Sequence, residues 1–439
     1  MLKRYHVAGT SAREIAESLE RAIETGGIAA GERLPTIRAL AEDLGVSPTT
    51  VNAAYAALRS QGRIGGNRRG GTVAIGRPAF QTGLVDSPPS AARNLAVANP
   101  DPAFLPAVRP FVADAVVERR LYGGARDSEA LLALARRRFA ADGIPAAHLA
   151  VVGGALDGVE RALLTHLVAG DTIALEDPTY PPHRDLARAL GLRVVPVALD
   201  ARGILPEALA AALRSRPKAL IVVPRGQNPT GAAFDRERAA ALRAVLADAP
   251  DLLVVEDDYL AELSDVPLAS LTGGSRWVQV RSITKALGPD LRVALLAGDT
   301  LTVSRLHDRQ RLGNGWISHI LQETVAALLS DRAVARLVRQ AGKTYARRRD
   351  GLLAALARHG IAAFGATGFN VWIPVPGETA VVRALEAAGW AVDAGERYRS
   401  EAAPAIRVTV TTLLSDEAER FARDLAAIVR PVRRHAAAP

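Results

Sequence analysis

The sequence predicts a large α/β domain, a mixed and mostly parallel sheet with helices on both faces, behind a small α+β head of three helices and a hairpin. Three observations carry this. From about residue 94, short apolar runs alternate with helical stretches, the pattern of a sheet covered on both sides. Polar clusters follow several of those runs directly, at the strand ends where open α/β sheets bind ligands. Before residue 76 the punctuation differs: helix, short glycine turn, helix, then a glycine-flanked basic hairpin.

The first helix is expected over 11–25. Ser11 with Glu14 three residues on makes a capping box, Ile15, Leu19 and Ile23 form an apolar stripe, and Gly26-Gly27 ends it. The second takes Thr36 as its N-cap, runs through Arg38, Leu40 and Ala41 to Leu44, and stops at Gly45. Ser47-Pro48 opens the third, a capping serine before a proline at the first helical position. This helix carries Thr49, Thr50, Val51, Asn52, Tyr55 and Leu58 and ends at Gly62. Residues 63–76 read as a hairpin with Arg68 and Arg69 at its tip. Thr49, Thr50 and Asn52 are short polar side chains able to reach phosphates or base edges; Arg68 and Arg69 suit a DNA backbone or minor groove. The head therefore spans 1–76. Residues 77–93, rich in proline and serine with few periodic apolar positions, read as a linker.

The main domain is expected over 94–439, with a large part to about 330 and a small C-terminal part from 331 to about 430. Strands are expected at 149–152, 172–175, 193–197, 219–223, 252–255, 277–280 and 293–298, and a helix over 157–168. The glycine turn Gly153-Gly154-Ala155 before that helix is a ready anion site, though many α/β proteins have one.

Composition narrows the chemistry. There is no cysteine, which excludes disulfides, thiolate metal sites and cysteine nucleophiles; the eight histidines are scattered without metal-like pairing, so no metal is expected. The net charge of +9 is compatible with a polyanionic partner. No apolar leader follows Met1 and no run reaches membrane-spanning length, so a cytoplasmic protein without a membrane partner is expected.

The stretch 281–292 concentrates the remaining chemistry. Ser282, Thr284 and Arg292 supply two hydroxyls and a planar cationic fork, which a phosphate monoester needs. Lys285 places an amine beside that anion site, able to form a Schiff base with an aldehyde. A phosphorylated aldehyde points to pyridoxal 5'-phosphate (PLP), with Lys285 as its covalent anchor. Upstream strand ends offer complements. Asp257 can pair with a protonated pyridine nitrogen, Asn228 and Tyr259 can reach the phenolic oxygen, and Tyr180 can cover the ring face. Singly each has a plainer role: a helix cap, an Asn-Pro-Thr-Gly turn, packing beside prolines. The combination with Lys285 and Arg292 favours the cofactor.

Two resemblances follow from these residues. Residues 11–76 resemble the winged helix-turn-helix of the GntR family. The matching pattern runs Gly31-Glu32-Arg33-Leu34-Pro35-Thr36-Ile37-Arg38-Ala39-Leu40-Ala41, then Leu44-Gly45-Val46-Ser47, Thr50-Val51, Ala54-Tyr55, Leu58, Gly62 and Gly71-Thr72-Val73. That resemblance implies DNA contacts at Arg38, Thr49, Thr50 and Asn52. Residues 94 to about 430 resemble the fold-type I, PLP-dependent aminotransferases, with Asn99-Pro100-Asp101-Pro102 and Thr367-Gly368-Phe369-Asn370-Val371-Trp372 also matching. It implies an internal aldimine on Lys285, the pyridinium on Asp257, the phenolic oxygen on Tyr259 and Asn228, and Tyr180 on the ring face. Gly154, Ala155, Ser282, Thr284 and Arg292 would hold the phosphate, and Arg407 would clamp an effector's or substrate's α-carboxylate.

A GntR head joined to such a domain is the arrangement of the MocR-type transcriptional regulators. The resemblance implies a homodimer bound to double-stranded DNA that senses an amino acid, an amine or PLP itself. The alternative is a transaminase with an accessory DNA-binding head, and a third reading is a PLP reservoir with no specific operator. Three positions bear on the choice: Ala98 stands where relatives often have glycine, Leu156-Asp157 replaces a frequently polar pair at the phosphate turn, and Asn228 is kept where several regulator relatives lack it.

Overall fold

The computed structural model describes residues 7–24, 27–29, 31–60, 63–66, 71–75, 92–115 and 121–429. Two compact units are present, one built on the first 82 residues and the other on nearly all of 83–439. Arg68, Arg69 and almost all of the expected linker lie outside the described residues.

In the first unit, helices span Ala12–Glu24, Ile37–Leu44 and Pro48–Ser60, and strands Ile64–Gly66 and Thr72–Ala74 form an antiparallel hairpin. The capping box is reciprocal: Ser11 Oγ accepts from Glu14 N at 3.3 Å, and Glu14 Oε2 accepts from Ser11 N at 3.3 Å. Thr36 Oγ1 accepts from Ala39 N, and Gly45 takes the left-handed conformation that ends the second helix. Ile15, Leu19, Leu40, Val51, Ala54, Tyr55, Leu58 and Ile64 close a core of their own. Tyr55 satisfies its hydroxyl by donating to Pro35 O at 2.8 Å, which fixes the third helix against the turn before the second.

The second unit is built on an eight-stranded sheet. In spatial order its strands are His148–Val152, Ala294–Gly298, Trp277–Ser282, Leu253–Asp257, Ala219–Val222, Thr172–Asp177, Arg193–Asp200 and Gly203–Ile204. The central strands pair in parallel; Ala294–Gly298 runs antiparallel to both neighbours, making the sheet mixed. The parallel strands are buried along their length, as a sheet covered on both faces requires. The expected strands are all present; the two-residue strand Gly203–Ile204, too short to leave a periodic signal, was not anticipated.

The C-terminal part packs the 27-residue helix Arg332–Arg358 and the helix Ser415–Val429 against a three-stranded sheet. There the strand Ala405–Thr409 lies between Asn370–Pro374 and Asp393–Ala394, antiparallel to both. Arg93–Asn94, at the expected end of the linker, already forms a strand, paired in parallel with Trp390–Ala391. Among the described residues no helix is long and apolar enough to cross a membrane.

Candidate ligand pocket and DNA-binding head

A cavity of about 340 Å³ opens at the C-terminal ends of the central parallel strands. It is lined by Ala155, Tyr180, Asn228, Asp257, Tyr259, Ser282, Thr284, Lys285, Arg292 and Arg407, so residues from six separate stretches of sequence meet in one place. Gly154 lies just behind, under the Arg292 guanidinium. A Cβ built on Gly154 would fall 2.9 Å from Arg292 Nη2, and its φ of +107° disfavours any side chain.

The anion corner is made by local structure. Gly154 is the N-cap of the helix Ala155–His166, whose first-turn N–H groups have no intrahelical acceptor. Ser282 ends its strand and Thr284 begins a one-turn helix; their hydroxyls lie 2.9 Å apart, both buried. Arg292 adopts φ +45°, unusual for a non-glycine residue, and thereby lays its guanidinium across the turn, with Nη2 3.5 Å from Gly153 O. Asp157 departs from a neutral polar residue here: its carboxylate accepts from Gly153 N at 2.8 Å and pairs with Arg161. One backbone donor of the corner is thus already in use.

Lys285 donates to Ala98 O at 2.5 Å. Burial, followed by the charge of Arg407, lowers its pKa to about 8, so at pH 7 about a tenth of the amine is unprotonated, far more than for an ordinary lysine. Asp257 is buried. One carboxylate oxygen meets His183 Nε2 at 3.1 Å, while Oδ1 has no hydrogen-bond partner among the described residues. An unpaired buried carboxylate oxygen is costly, and here it sits in a cavity wall. Tyr180 stands edge-on to His183 with ring centroids 5.4 Å apart.

Two residues expected to face the ligand already carry protein hydrogen bonds. The Tyr259 ring lines the cavity, but its hydroxyl donates to Gly226 O at 2.6 Å, leaving only its lone pairs for a ligand. Asn228 Oδ1 accepts from Arg407 Nη1 at 3.1 Å, leaving its amide N–H groups as donors. Beneath Asn228, Gln227 bonds the buried Glu176, whose carboxyl is pushed up to about 8 by burial; this fixes the loop.

Sequence reasoning missed three residues of the site: His183, which backs Asp257, and Asp393 and Tyr398 in the cavity wall. His183 follows Tyr180 by three positions at the start of a helix, a spacing that could have suggested it. Asp393 and Tyr398 come from the C-terminal part and carried no motif.

In the head, Arg38, Thr49 and Asn52 are exposed. Thr50 is only partly so, because its hydroxyl and amide both engage Ser47 Oγ, at 2.8 and 3.1 Å, in the cap of the third helix. Ser47 is the cap, and part of the Thr50 side chain is engaged with it. The tip arginines Arg68 and Arg69 are not among the described residues.

Fold and pocket together define an aminotransferase-type α/β domain behind a helix-turn-helix head. Comparison with known proteins gives the family. The profile described as "Aminotransferase class I and II" matches residues 93–425, and that described as "Bacterial regulatory proteins, gntR family" matches residues 11–73. The chain belongs to the MocR-type regulators, in which these two domains are fused. The "Vitamin B6 salvage pathway transcriptional repressor PtsJ" of Salmonella typhimurium is 36% identical over 424 residues, covering 95% of this chain and 98% of that protein. The "HTH-type transcriptional regulator TauR" of Rhodobacter capsulatus is 29% identical, covering 84% and 85%. Among solved structures, a kynurenine aminotransferase from Pyrococcus horikoshii superposes with a TM-score of 0.70 at 20% identity, covering 77% of this chain and 91% of that one. That likeness speaks for the fold alone.

Proposed function

We propose that the chain is a transcriptional regulator whose DNA affinity is set by PLP bound in the cavity around Lys285. The observation that carries this reading is Asp257 Oδ1, a buried carboxylate oxygen without a protein partner, in the same cavity as a depressed lysine amine and an anion corner. These residues fit the group: a phosphate for Arg292 and the first-turn amides, a ring N–H for Asp257, an aldehyde for Lys285. When bound, the cofactor supplies that aldehyde and an electron-withdrawing ring.

The chain's own residues do the rest. Lys285 brings an amine that is partly neutral near pH 7 and so able to attack a carbonyl. Asp257, steadied by His183, holds a proton-bearing nitrogen by a charge-assisted hydrogen bond. Ser282, Thr284 and Arg292 neutralise and orient a phosphate. The head, through Arg38, Thr49 and Asn52 with a lesser part for Thr50 and with Arg68 and Arg69 from the wing, grips a duplex. Two heads carried by a homodimer would meet paired half-sites. The exposed Leu121 and Tyr122, the latter in edge contact with Trp316, are apolar surface that such a dimer would cover. The 36%-identical relative, named as a repressor of vitamin B6 salvage, supports the cofactor itself as the signal.

The test uses the full-length protein. Wild type should take up PLP as an adduct fixed by borohydride, Lys285→Ala should not, and footprinting upstream of its own gene should reveal a protected region that changes with PLP. Sustained turnover of amino acids with 2-oxo acids would replace this reading with the transaminase; absence of any protected region would leave the reservoir.

A further inference from the structure

Arg407 meets the cavity with its guanidinium already engaged. Nη2 donates to Ala96 O and to Asp393 Oδ2, the latter at 3.2 Å, and Nη1 donates to Asn228 Oδ1 at 3.1 Å. A guanidinium has two N–H groups on each terminal nitrogen and one on Nε. It can hold a carboxylate bidentately end-on, through Nη1 and Nη2, or side-on, through Nε and Nη2. Both seats need Nη2, and both of its N–H groups are spent. Nε is buried and without a partner among the described residues, but no adjacent N–H remains to complete a fork with it.

Asp393 is held firmly in that position. It stands directly across the antiparallel ladder from Arg407. Its Oδ1 accepts from Arg397 Nη1 at 3.0 Å, and its Oδ2 also accepts from the Tyr398 hydroxyl at 2.5 Å. The Tyr398 ring lies 4.9 Å from the centre of the Arg407 guanidinium. Asp393, Tyr398 and Arg407 are each at most 4% exposed. Moving the Asp393 carboxylate aside would break three hydrogen bonds and leave charges buried without partners.

We propose that Asp393 is an internal carboxylate filling the guanidinium seat of Arg407, so that the pocket admits PLP but does not take an amino acid by its α-carboxylate. The inference rests on the reading of the cavity as a PLP site. It makes Asp393 a specificity-determining residue. The ligands it permits are the phosphorylated aldehyde alone and amines without a carboxylate. Arg407 is then a charged wall that adds to the effect of burial on Lys285 rather than a clamp.

The experiment loads full-length protein with PLP and titrates L-alanine against L-alaninamide, following the cofactor absorbance and correcting for each amine's unprotonated fraction. In wild type the acid should bind no better than the amide. Asp393→Asn, close in shape, and Asp393→Ala, which empties the seat, should both improve L-alanine over the amide, the latter by about tenfold to a hundredfold, the worth of a charge-assisted pair. A wild-type preference for the acid of about tenfold or more, or an acid-to-amide ratio unmoved in both variants, overturns the inference while leaving the PLP site intact. The wild-type comparison stands alone if the variants do not fold. Failure of wild type to take up PLP overturns the pocket reading and this inference with it.

Discussion

Replacing Asp257 with asparagine separates the cofactor reading from a purely structural one. Oδ1 is buried with no partner among the described residues, while the other oxygen meets His183 at 3.1 Å. A structural carboxylate would be paired on both sides. Asparagine keeps an acceptor for His183 and removes the uncompensated charge, so Asp257→Asn should cost the empty protein no more than about 1 kcal/mol. A bound ring N–H would lose a hydrogen bond to a charged acceptor, worth roughly 1.5–3 kcal/mol, or about tenfold to 150-fold in affinity. The assay is a paired one: PLP titration by absorbance, and thermal unfolding without cofactor. Unchanged PLP affinity together with a large loss of stability would refute the argument and return Asp257 to a packing role.

Three other outcomes follow. The rate of covalent capture of PLP by Lys285 should rise with pH and level off above about 8, because burial and the Arg407 charge favour the neutral amine. The same shift has a stability sign. The fold penalises the protonated lysine, so the empty protein should gain stability from this group between about pH 8 and the ordinary lysine value of 10.5, as measured by denaturant titration. An inflection at the ordinary lysine value would mean that the amine is solvated. Arg38→Ala should lower operator affinity and reduce the slope of log affinity against log salt by about one, the signature of one lost phosphate contact, with PLP uptake unchanged.

The parts of the pocket legible in the sequence are those that a strand end dictates. Asp257 closes the strand Leu253–Asp257, and Ser282 closes Trp277–Ser282 two positions before Thr284 and three before Lys285. An apolar run followed by a polar cluster fixes such residues within a position or two. Arg292 was legible by its spacing from Lys285, but not the φ of +45° that aims it over Gly154. What stayed hidden came from partners that only tertiary structure supplies. Tyr259 was expected to face a ligand with its hydroxyl, and the Gly226 carbonyl takes the proton. Thr50, a DNA contact by its motif, shares its hydroxyl with its own capping serine. Asp393 had no motif at all, because its role comes from the strand it lies beside. The helices of the head, by contrast, follow from local caps at Ser11, Thr36 and Ser47, which need nothing beyond their own turn.

The three-stranded sheet of the C-terminal part sets Trp372 and Asp393 on either side of Arg407, each opposite it in register. Because side chains alternate faces, a slip of one position would turn the guanidinium away from its counter-ion and strand it in an apolar layer, a penalty of about 3–5 kcal/mol. The pair therefore acts as a key for assembly as well as a wall of the cavity. The alignment that seats the strand Ala405–Thr409 therefore also sets this wall of the binding site, and any change that shifts that register would be felt in the pocket as well as in the sheet.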